Sequence, residues 1–252
     1  MKKIAASIFI FAIAFSCKKD DEKVFPIEPY IEFKSFKFGK SNVGSWDSLN
    51  VEFYFRDGDA DLGLDGSYKE PYNYRNYFFK LTGKKYFGEL ASAKISELIT
   101  YKDKRTKNLD SLPSFTKPYN CTNWELARST NGLLTDTVYY QANPNYYNLF
   151  VDFYILSAGN WSMFDFDTVF PYPNCADGGF SARFPSPENF QSESFGPFLL
   201  NRISTKEGVL TYSIKSFSFN YHFTGKKIKL KVRIQDRAFH KSNEIETSEI
   251  QF

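Results

Sequence analysis

A strict alternation of apolar and polar residues near the C-terminus constrains the fold most. Between residues 227 and 235 every second side chain is apolar, and these positions are Ile228, Leu230, Val232 and Ile234. A period of two places the two sets on opposite faces of a β-strand, so the segment is predicted to be a strand with one buried face. Residues 236–243 then form a polar loop and residues 244–252 a returning strand, which together predict a terminal hairpin.

The same pattern recurs earlier in the chain. Residues 30–38 and 49–55 alternate in the same way, and further strand-like segments are 77–81, 137–141, 146–156 and 209–223. Many short strands separated by polar turns favour a β-sandwich. The 28 Phe, 17 Tyr and 3 Trp residues supply enough apolar surface for a large core.

Two kinds of segment interrupt the strands. Residues 89–99 carry apolar side chains at helical spacing and predict one short helix, whereas residues 101–120 and 171–198 are rich in Pro, Asn, Ser and Asp and predict loops. We therefore expect a mainly β chain, an immunoglobulin-like β-sandwich over residues 28–252. A long insertion at about residues 66–205 is expected to carry extra strands and the helix.

The N-terminus has the pattern of a secretory leader. Lys2 and Lys3 precede an apolar run, Ile4–Ser16, that is shorter than the roughly 20 residues a membrane-spanning helix needs. The run ends in Ala14-Phe15-Ser16-Cys17, which resembles a lipobox, although Phe15 is bulkier than usual at its position. This resemblance implies removal of residues 1–16 and lipidation of Cys17. A plain secretory signal with an incidental Cys is the alternative.

The residues after Cys17 predict a charged tether over residues 17–27. Lys18-Lys19-Asp20-Asp21-Glu22 resembles the surface-export signal of Bacteroidota lipoproteins, and a solvated linker is the alternative. The expected location is therefore the outer membrane, with the protein lipid-anchored and facing outward.

Net charge excludes nucleic acid as the main partner. Lys and Arg number 32 and Asp and Glu 29, and loss of the two leader lysines changes +3 to +1. A nearly neutral chain lacks the basic surface that phosphate backbones require.

Several stretches resemble an uncharacterised family of Bacteroidota surface-exposed lipoproteins with an immunoglobulin-like or fibronectin-like core. They are residues 55–63, 118–121, 145–148, 183–185, 236–238 and 241–243. The resemblance covers most of the mature chain and implies the sandwich core, but it carries no established chemistry.

An acidic loop gives the clearest candidate site. Asp57, Asp59, Asp61 and Asp65 follow a predicted strand, and Asp236 follows the strand of the terminal hairpin. In this type of sandwich the two loops share one end, so Asp236 is expected to approach the loop and complete an oxygen cage for calcium. The spacing departs from that of an EF-hand, and the alternative is a solvated turn in which the Asp side chains cap backbone N–H groups.

Two cysteines remain when Cys17 is lipidated. Cys121 and Cys175 form an even pair in an oxidising compartment, so we expect a structural disulfide worth roughly 4 kcal/mol. Two buried free thiols are the alternative.

The sequence Asp-Ser/Thr-aliphatic occurs four times and resembles the O-glycosylation sequon of Bacteroidota envelope proteins. The acceptor residues are Ser48, Ser111, Thr137 and Thr168. Strand starts, where a turn Asp precedes a β-former, are the alternative interpretation.

Two aromatic clusters are candidates for binding, namely Tyr68, Tyr72, Tyr74 and Tyr77, and Trp161, Phe164, Phe166 and Phe170. Core packing must account for most aromatic residues in such a chain.

The sequence lacks the G-x-S-x-G, P-loop and H-E-x-x-H patterns, and His222 and His240 have no clear nucleophile beside them.

We therefore expect a non-catalytic binding or accessory subunit of an envelope protein complex. A glycan-binding lipoprotein in nutrient uptake is the alternative, and a surface hydrolase is a weaker one, because carboxylate pairs such as Asp165 and Asp167 also occur in glycosidases.

The location can be tested on intact cells. We expect an added protease to remove the protein without lysis while a periplasmic control protein stays intact. A chain that stays uncut until the cells are broken would contradict the outward-facing location.

Overall fold

The computed structural model describes residues 23–39, 47–66, 69–113, 123–129, 131–165, 179–190, 194–216 and 219–252. Within these ranges the chain is mainly β, with several antiparallel sheets and two short α-helices. No helix in the described ranges is both long and apolar enough to cross a bilayer.

Strands one to seven are β1 (Tyr30–Gly39), β2 (Asp47–Arg56), β3 (Arg75–Phe78), β4 (Lys85–Tyr86), β5 (Trp124–Arg128), β6 (Leu134–Ala142) and β7 (Leu149–Ser157). The others are β8 (Asn160–Met163), β9 (Ser194–Phe195), β10 (Phe198–Arg202), β11 (Glu207–Ser216), β12 (Lys227–Ile234), β13 (Ile245–Glu246) and β14 (Ile250–Gln251). The α-helices are α1 (Tyr101–Thr106) and α2 (Phe219–Phe223).

The first sheet has the order β1-β2-β11-β10-β9. β2 lies inside it and pairs antiparallel with β1 on one side and β11 on the other. Its inward residues are all buried, and these are Asp47, Leu49, Val51, Phe53 and Phe55. The alternation in the sequence therefore predicts this strand and its buried face correctly.

The second sheet has the order β13-β12-β7-β8, with β14 also paired to β12. The four apolar residues of β12 are completely buried, as the alternation predicts. The returning strand, however, is two short pieces. Thr247 lies between them and bonds the backbone of Leu230 in both directions, donating its N–H at 2.9 Å and accepting at its Oγ at 2.9 Å.

One hydrophobic core joins the two sheets. Buried side chains from both contribute to it, including Phe53 of β2, Phe153 of β7 and Leu230 of β12. The prediction of a strand through residues 209–223 is wrong in its second half, because β11 ends at Ser216 and α2 follows. A helix places Phe219 and Phe223 on one face, where both are buried against Phe153.

A third sheet, with the order β4-β3-β6-β5, comes between β2 and β7 in the chain. It has a small core of its own, formed by Tyr77, Leu98, Ala127, Val138 and Tyr140. Strands β7 to β10 also lie within residues 66–205, but they belong to the two larger sheets.

The helix predicted over residues 89–99 is wrong in type and extent. That stretch holds two 3₁₀ turns, Leu90–Ser92 and Ile95–Glu97, and the α-helix follows in a segment predicted as loop. A capping box between Thr100 and Asp103 starts α1, a polar signal that the apolar spacing did not reveal.

The segment before β1 is fastened to one end of the first sheet. Lys23 Nζ lies 3.1 Å from Glu207 Oε1, and the carbonyl of Pro26 accepts the N–H of Gly58 at 2.9 Å. Glu207 is buried and also accepts a hydrogen bond from the Tyr54 hydroxyl at 2.7 Å. The N-terminal segment therefore enters the domain beside the residues that follow β2.

Phe153→Ala tests the shared core. Phe153 is 1% exposed and contacts the rings of Phe180, Phe219 and Phe223. Removing the ring leaves a cavity, so we expect the free energy of unfolding in urea to fall by about 3–5 kcal/mol. Leu81→Ala, at a position that is 92% exposed, is the control and is expected to change it by less than about 0.5 kcal/mol. Equal effects of the two changes would contradict this core.

Candidate metal centre

The acidic loop, residues 57–65, is shaped by hydrogen bonds at the end of β2. Asp57 follows the strand directly and donates its backbone N–H to the carbonyl of Lys206 at 2.8 Å. Its Oδ2 atom accepts the backbone N–H of Leu62 at 3.1 Å. Leu62 is itself buried, so the loop turns back onto the core within a few residues.

Gly63 lets this loop lie against the segment around Ser186. Its φ is 103°, a conformation that side chains disfavour, and a Cβ atom would lie 2.1 Å from the Ser186 Cα. The next residue, Leu64, donates its N–H to the carbonyl of Phe184 at 2.7 Å. Both contacts hold the last residues of the acidic loop against the segment around Ser186.

The loop after β12 supplies Asp236 from the other sheet. Asp236 is 3% exposed, and both of its carboxylate oxygens are bonded to His240, Oδ1 to the backbone N–H at 2.7 Å and Oδ2 to the ring Nδ1 at 2.7 Å. These two bonds hold the carboxylate in one orientation. Each oxygen keeps a second lone pair with which it can bind a cation.

Arg237 fastens this second loop to the acidic loop. Its backbone N–H points at the carbonyl of Asp61 at 3.4 Å, and its guanidinium donates to the carbonyls of Leu62 at 3.4 Å and Gly63 at 3.3 Å. The two loops are thus joined through backbone carbonyls, and the Asp61 carboxylate adds to this joint by accepting the backbone N–H of Ala238.

Four carboxylates converge where these loops meet. One oxygen from each of Asp57, Asp59, Asp61 and Asp236, here called the acidic cluster, lies within 4.8 Å of the others. Asp57 is fully buried and Asp61 half-buried, and the Oδ1 atom of each lacks a hydrogen-bond partner. Asp59 is exposed, so the cluster reaches solvent on its side.

The structure brings together four of the five residues that the sequence predicted as ligands, and the fifth is Asp65. Asp65 is not one of the carboxylates that converge. Instead, its backbone carbonyl accepts the Arg183 guanidinium at 2.6 Å. The acidic loop has already turned away from the cluster at this residue.

The burial and close approach of these carboxylates raise the pKa of two of them, Asp57 and Asp61. Burial, reinforced by repulsion from Asp59 and Asp61, raises the pKa of Asp57 to about 7. Burial and the charge of Asp236 raise the pKa of Asp61 as well. The hydrogen bond to Asp236 raises the pKa of His240.

The spacing of the four carboxylates is compatible with a single divalent cation between them. Oxygens that surround one calcium ion at roughly 2.3–2.6 Å are at most about 5 Å apart, which matches the spacing of the cluster. Two buried oxygens without partners are costly unless something positive pairs with them.

The other predicted sites are distributed as follows. Ser111 is exposed after α1, whereas Ser48 and Thr137 are half-buried within β2 and β6. Cys17, Cys121, Cys175 and Thr168 lie outside the described residues, so their lipidation, pairing and glycosylation stay predictions.

The first aromatic cluster lines a groove of about 500 Å3 beside the acidic loop. We define the aromatic groove by its six rings, Tyr72, Tyr74, Tyr77, Tyr86, Phe87 and Tyr146. Tyr68 lies outside the described residues. The last three rings were not predicted, because they come from distant segments and no local sequence signal links them.

The second aromatic cluster does not act as one surface among the described residues. Trp161 lies under the ammonium of Lys229 at 4.4 Å, and Phe164 packs against the shared core. Phe166 and Phe170 lie outside the described residues.

His240 and Arg237 are the residues at the acidic cluster whose roles the sequence analysis missed. The sequence signal for His240 would have been an acid and a histidine four residues apart in a polar loop. The sequence held no such signal for Arg237, because its partners are carbonyl oxygens more than 170 residues away.

A pH series without metal tests the electrostatics of the cluster. A folded-state pKa of about 7 exceeds the ordinary 3.8, so the folded chain binds more protons than the unfolded chain between these values. Stability is therefore expected to fall as pH rises from 5 to 8 in EDTA, with Asp57 contributing roughly 2–3 kcal/mol over that range and Asp61 and His240 acting in the same direction.

Asp57→Asn separates this contribution from that of the neighbours. The amide keeps an acceptor for the Leu62 N–H but does not titrate, so the fall between pH 5 and 8 is expected to become shallower. Asp65→Asn, the same change outside the cluster, is the control and keeps the full slope. Identical slopes for both variants in urea unfolding would disprove the raised pKa.

Comparison with protein-family models, with curated proteins and with solved structures finds no match to this chain.

Proposed function

We propose that this chain is a lipid-anchored, non-catalytic binding subunit of the outer membrane, with a β-sandwich that a calcium ion stabilises. The observation that carries the calcium part is the convergence of four carboxylates, two of which have buried oxygens without a partner. The anchor and the outward-facing location rest on the N-terminal sequence.

The donor set supports calcium over other common metals. All four side chains offer oxygen, which hard cations prefer, and the imidazole Nδ1 of His240 is occupied by Asp236. Calcium accepts six to eight oxygens in irregular geometry, as flexible loops provide, whereas magnesium demands a near-ideal octahedron.

The strand order supports an immunoglobulin-like sandwich. If β1 and β2 are strands A and B, then β11 and β10 occupy the places of E and D in the first sheet. In the second sheet β7 and β12 then occupy the places of C and F, and β13 with β14 that of G. The third sheet is an insertion between B and C in this scheme.

A non-catalytic role is supported by the position of the carboxyl with the raised pKa. A general acid must reach the substrate oxygen that it protonates, yet Asp57 is 0% exposed. Its enclosure suits an internal ion better than the glycosidase chemistry of a surface hydrolase.

Two kinds of partner remain open for the binding role. An envelope protein complex fits an accessory subunit, and a glycan fits a lipoprotein of nutrient uptake. The aromatic groove favours the glycan as the second candidate, because rings beside polar side chains suit sugars.

Thermal unfolding tests the calcium site. Calcium at 100 times its dissociation constant adds about 2.7 kcal/mol to the stability, which raises Tm by roughly 5–10 °C for a domain of this size. Asp59→Asn, at an exposed position, is expected to fold normally and to lose most of that rise, whereas Asp65→Asn should keep it. A Tm that calcium leaves unchanged, with no heat of binding at millimolar calcium, would reject the site.

A further inference from the structure

The aromatic groove presents rings together with hydrogen-bonding groups whose charges are already balanced. Lys69 Nζ lies 3.4 Å from Glu89 Oε1 at the rim, and Arg75 lies 3.1 Å from Glu125. The side chains of Asn73 and Ser92 add neutral polar groups to the lining. The charged side chains of the lining are Lys69, Arg75, Arg183, Glu70 and Glu89, and with Glu125 bonded to Arg75 the positive and negative charges are equal in number.

This chemistry favours a neutral polyhydroxylated ligand. Ring faces pack against the C–H surfaces of a sugar, while amide, hydroxyl and carboxylate groups bond its hydroxyls. The groove has no excess charge that would favour an anionic or a cationic ligand. A volume of about 500 Å3 lies within the range of small-molecule sites and is large enough for a short oligosaccharide.

One side of the groove, which Tyr72 forms, is hydrogen-bonded to the loop that bears Asp236. The hydroxyl of Tyr72 donates to the carbonyl of Arg237 at 2.6 Å, and its ring contacts that of Phe239 at 5.5 Å between centroids. Arg237 in turn bonds the carbonyls of Leu62 and Gly63 in the acidic loop. Tyr72 thus depends on the position of both loops.

A second side of the groove, which Tyr146 and Tyr74 form, is held to the acidic loop by Arg183. Its guanidinium donates to the carbonyls of Leu64 at 3.2 Å, Asp65 at 2.6 Å and Tyr72 at 3.4 Å. The same group lies 5.0 Å from the ring of Tyr146, which stacks edge-on with Tyr74 at 4.9 Å. The backbone just after the acidic cluster therefore positions rings on both sides of the groove.

We propose that the aromatic groove binds a neutral oligosaccharide and that calcium at the acidic cluster strengthens this binding by fixing the walls. The coupling rests on the proposed calcium site, whereas the groove itself does not. Ion binding draws the two loops together, so the groove is ordered before the sugar arrives. By reciprocity, the sugar tightens calcium binding by the same factor.

The experiment uses the chain from residue 18 to residue 252 and four probes, the linear trisaccharides of glucose, mannose, xylose and galactose. Saturation-transfer NMR detects binding in 1 mM calcium and in EDTA, and competition gives the affinity. Tm with and without calcium is recorded on the same samples.

Tyr74→Ala removes a ring of the groove, and Tyr221→Ala is the matched control. Tyr221 is 86% exposed on α2, which comes after β11, and β11 ends opposite Asp47, at the end of β2 away from the acidic cluster. Glu89→Gln, whose side chain is exposed at the rim, is a second groove variant that does not threaten folding.

We expect at least one trisaccharide to bind, with affinity about tenfold lower in Tyr74→Ala, lower in Glu89→Gln and unchanged in Tyr221→Ala. EDTA is expected to weaken it by about fivefold or more, within the usual range of coupling between sites. Binding of none of the probes, or binding that both groove variants leave intact, overturns the groove as a sugar site.

Equal affinity in calcium and EDTA, with Tm still raised by calcium, overturns the coupling alone. A Tm that calcium does not change shows that the metal site has failed, and the groove is then judged by the probes in EDTA. The two failures are therefore distinguishable in one set of samples.

Discussion

Mutual repulsion among four carboxylates, where the loops after β2 and β12 meet, is the constraint on which the neighbouring structure depends. Asp57 is enclosed beside three other acids, and the chain compensates with backbone N–H groups, with His240 on Asp236 and with the carbonyl bonds of Arg237. These contacts hold two loops from different sheets together. The aromatic groove lies directly beside these two loops. The positions of its rings therefore depend on the contacts that hold the loops together.

Period-two patterns identified β1, β2 and β12, because a half-buried strand must alternate whatever its partners are. β2 and β12 are the clearest cases, with every inward side chain buried. The strand prediction failed at Phe219–Phe223, where alternating aromatic residues also fit a helix face. Only the buried position of Phe219 and Phe223 against Phe153 distinguishes the two, and that contact lies outside the local sequence.

The acidic cluster was predictable in part, for a topological reason. The loops after β2 and β12 meet although the two strands belong to different sheets, and this brings Asp236 to Asp57 across 179 positions of sequence. Asp65 was assigned to the same set because spacing alone does not reveal where a loop turns away. The groove was predictable only in part: the sequence grouped Tyr72, Tyr74 and Tyr77, but Arg183 holds them through carbonyl oxygens that any residue types could provide.

The fastening of the N-terminal segment has a mechanical consequence. For a chain anchored through its N-terminus, tension enters the domain at Lys23 and Pro26 and passes into β1 at Tyr30. β1 pairs with β2 from Tyr30 opposite Arg56 to Gly39 opposite Ser48. A pull along the strand axis therefore shears the whole ladder at once, which resists force better than unzipping pair by pair.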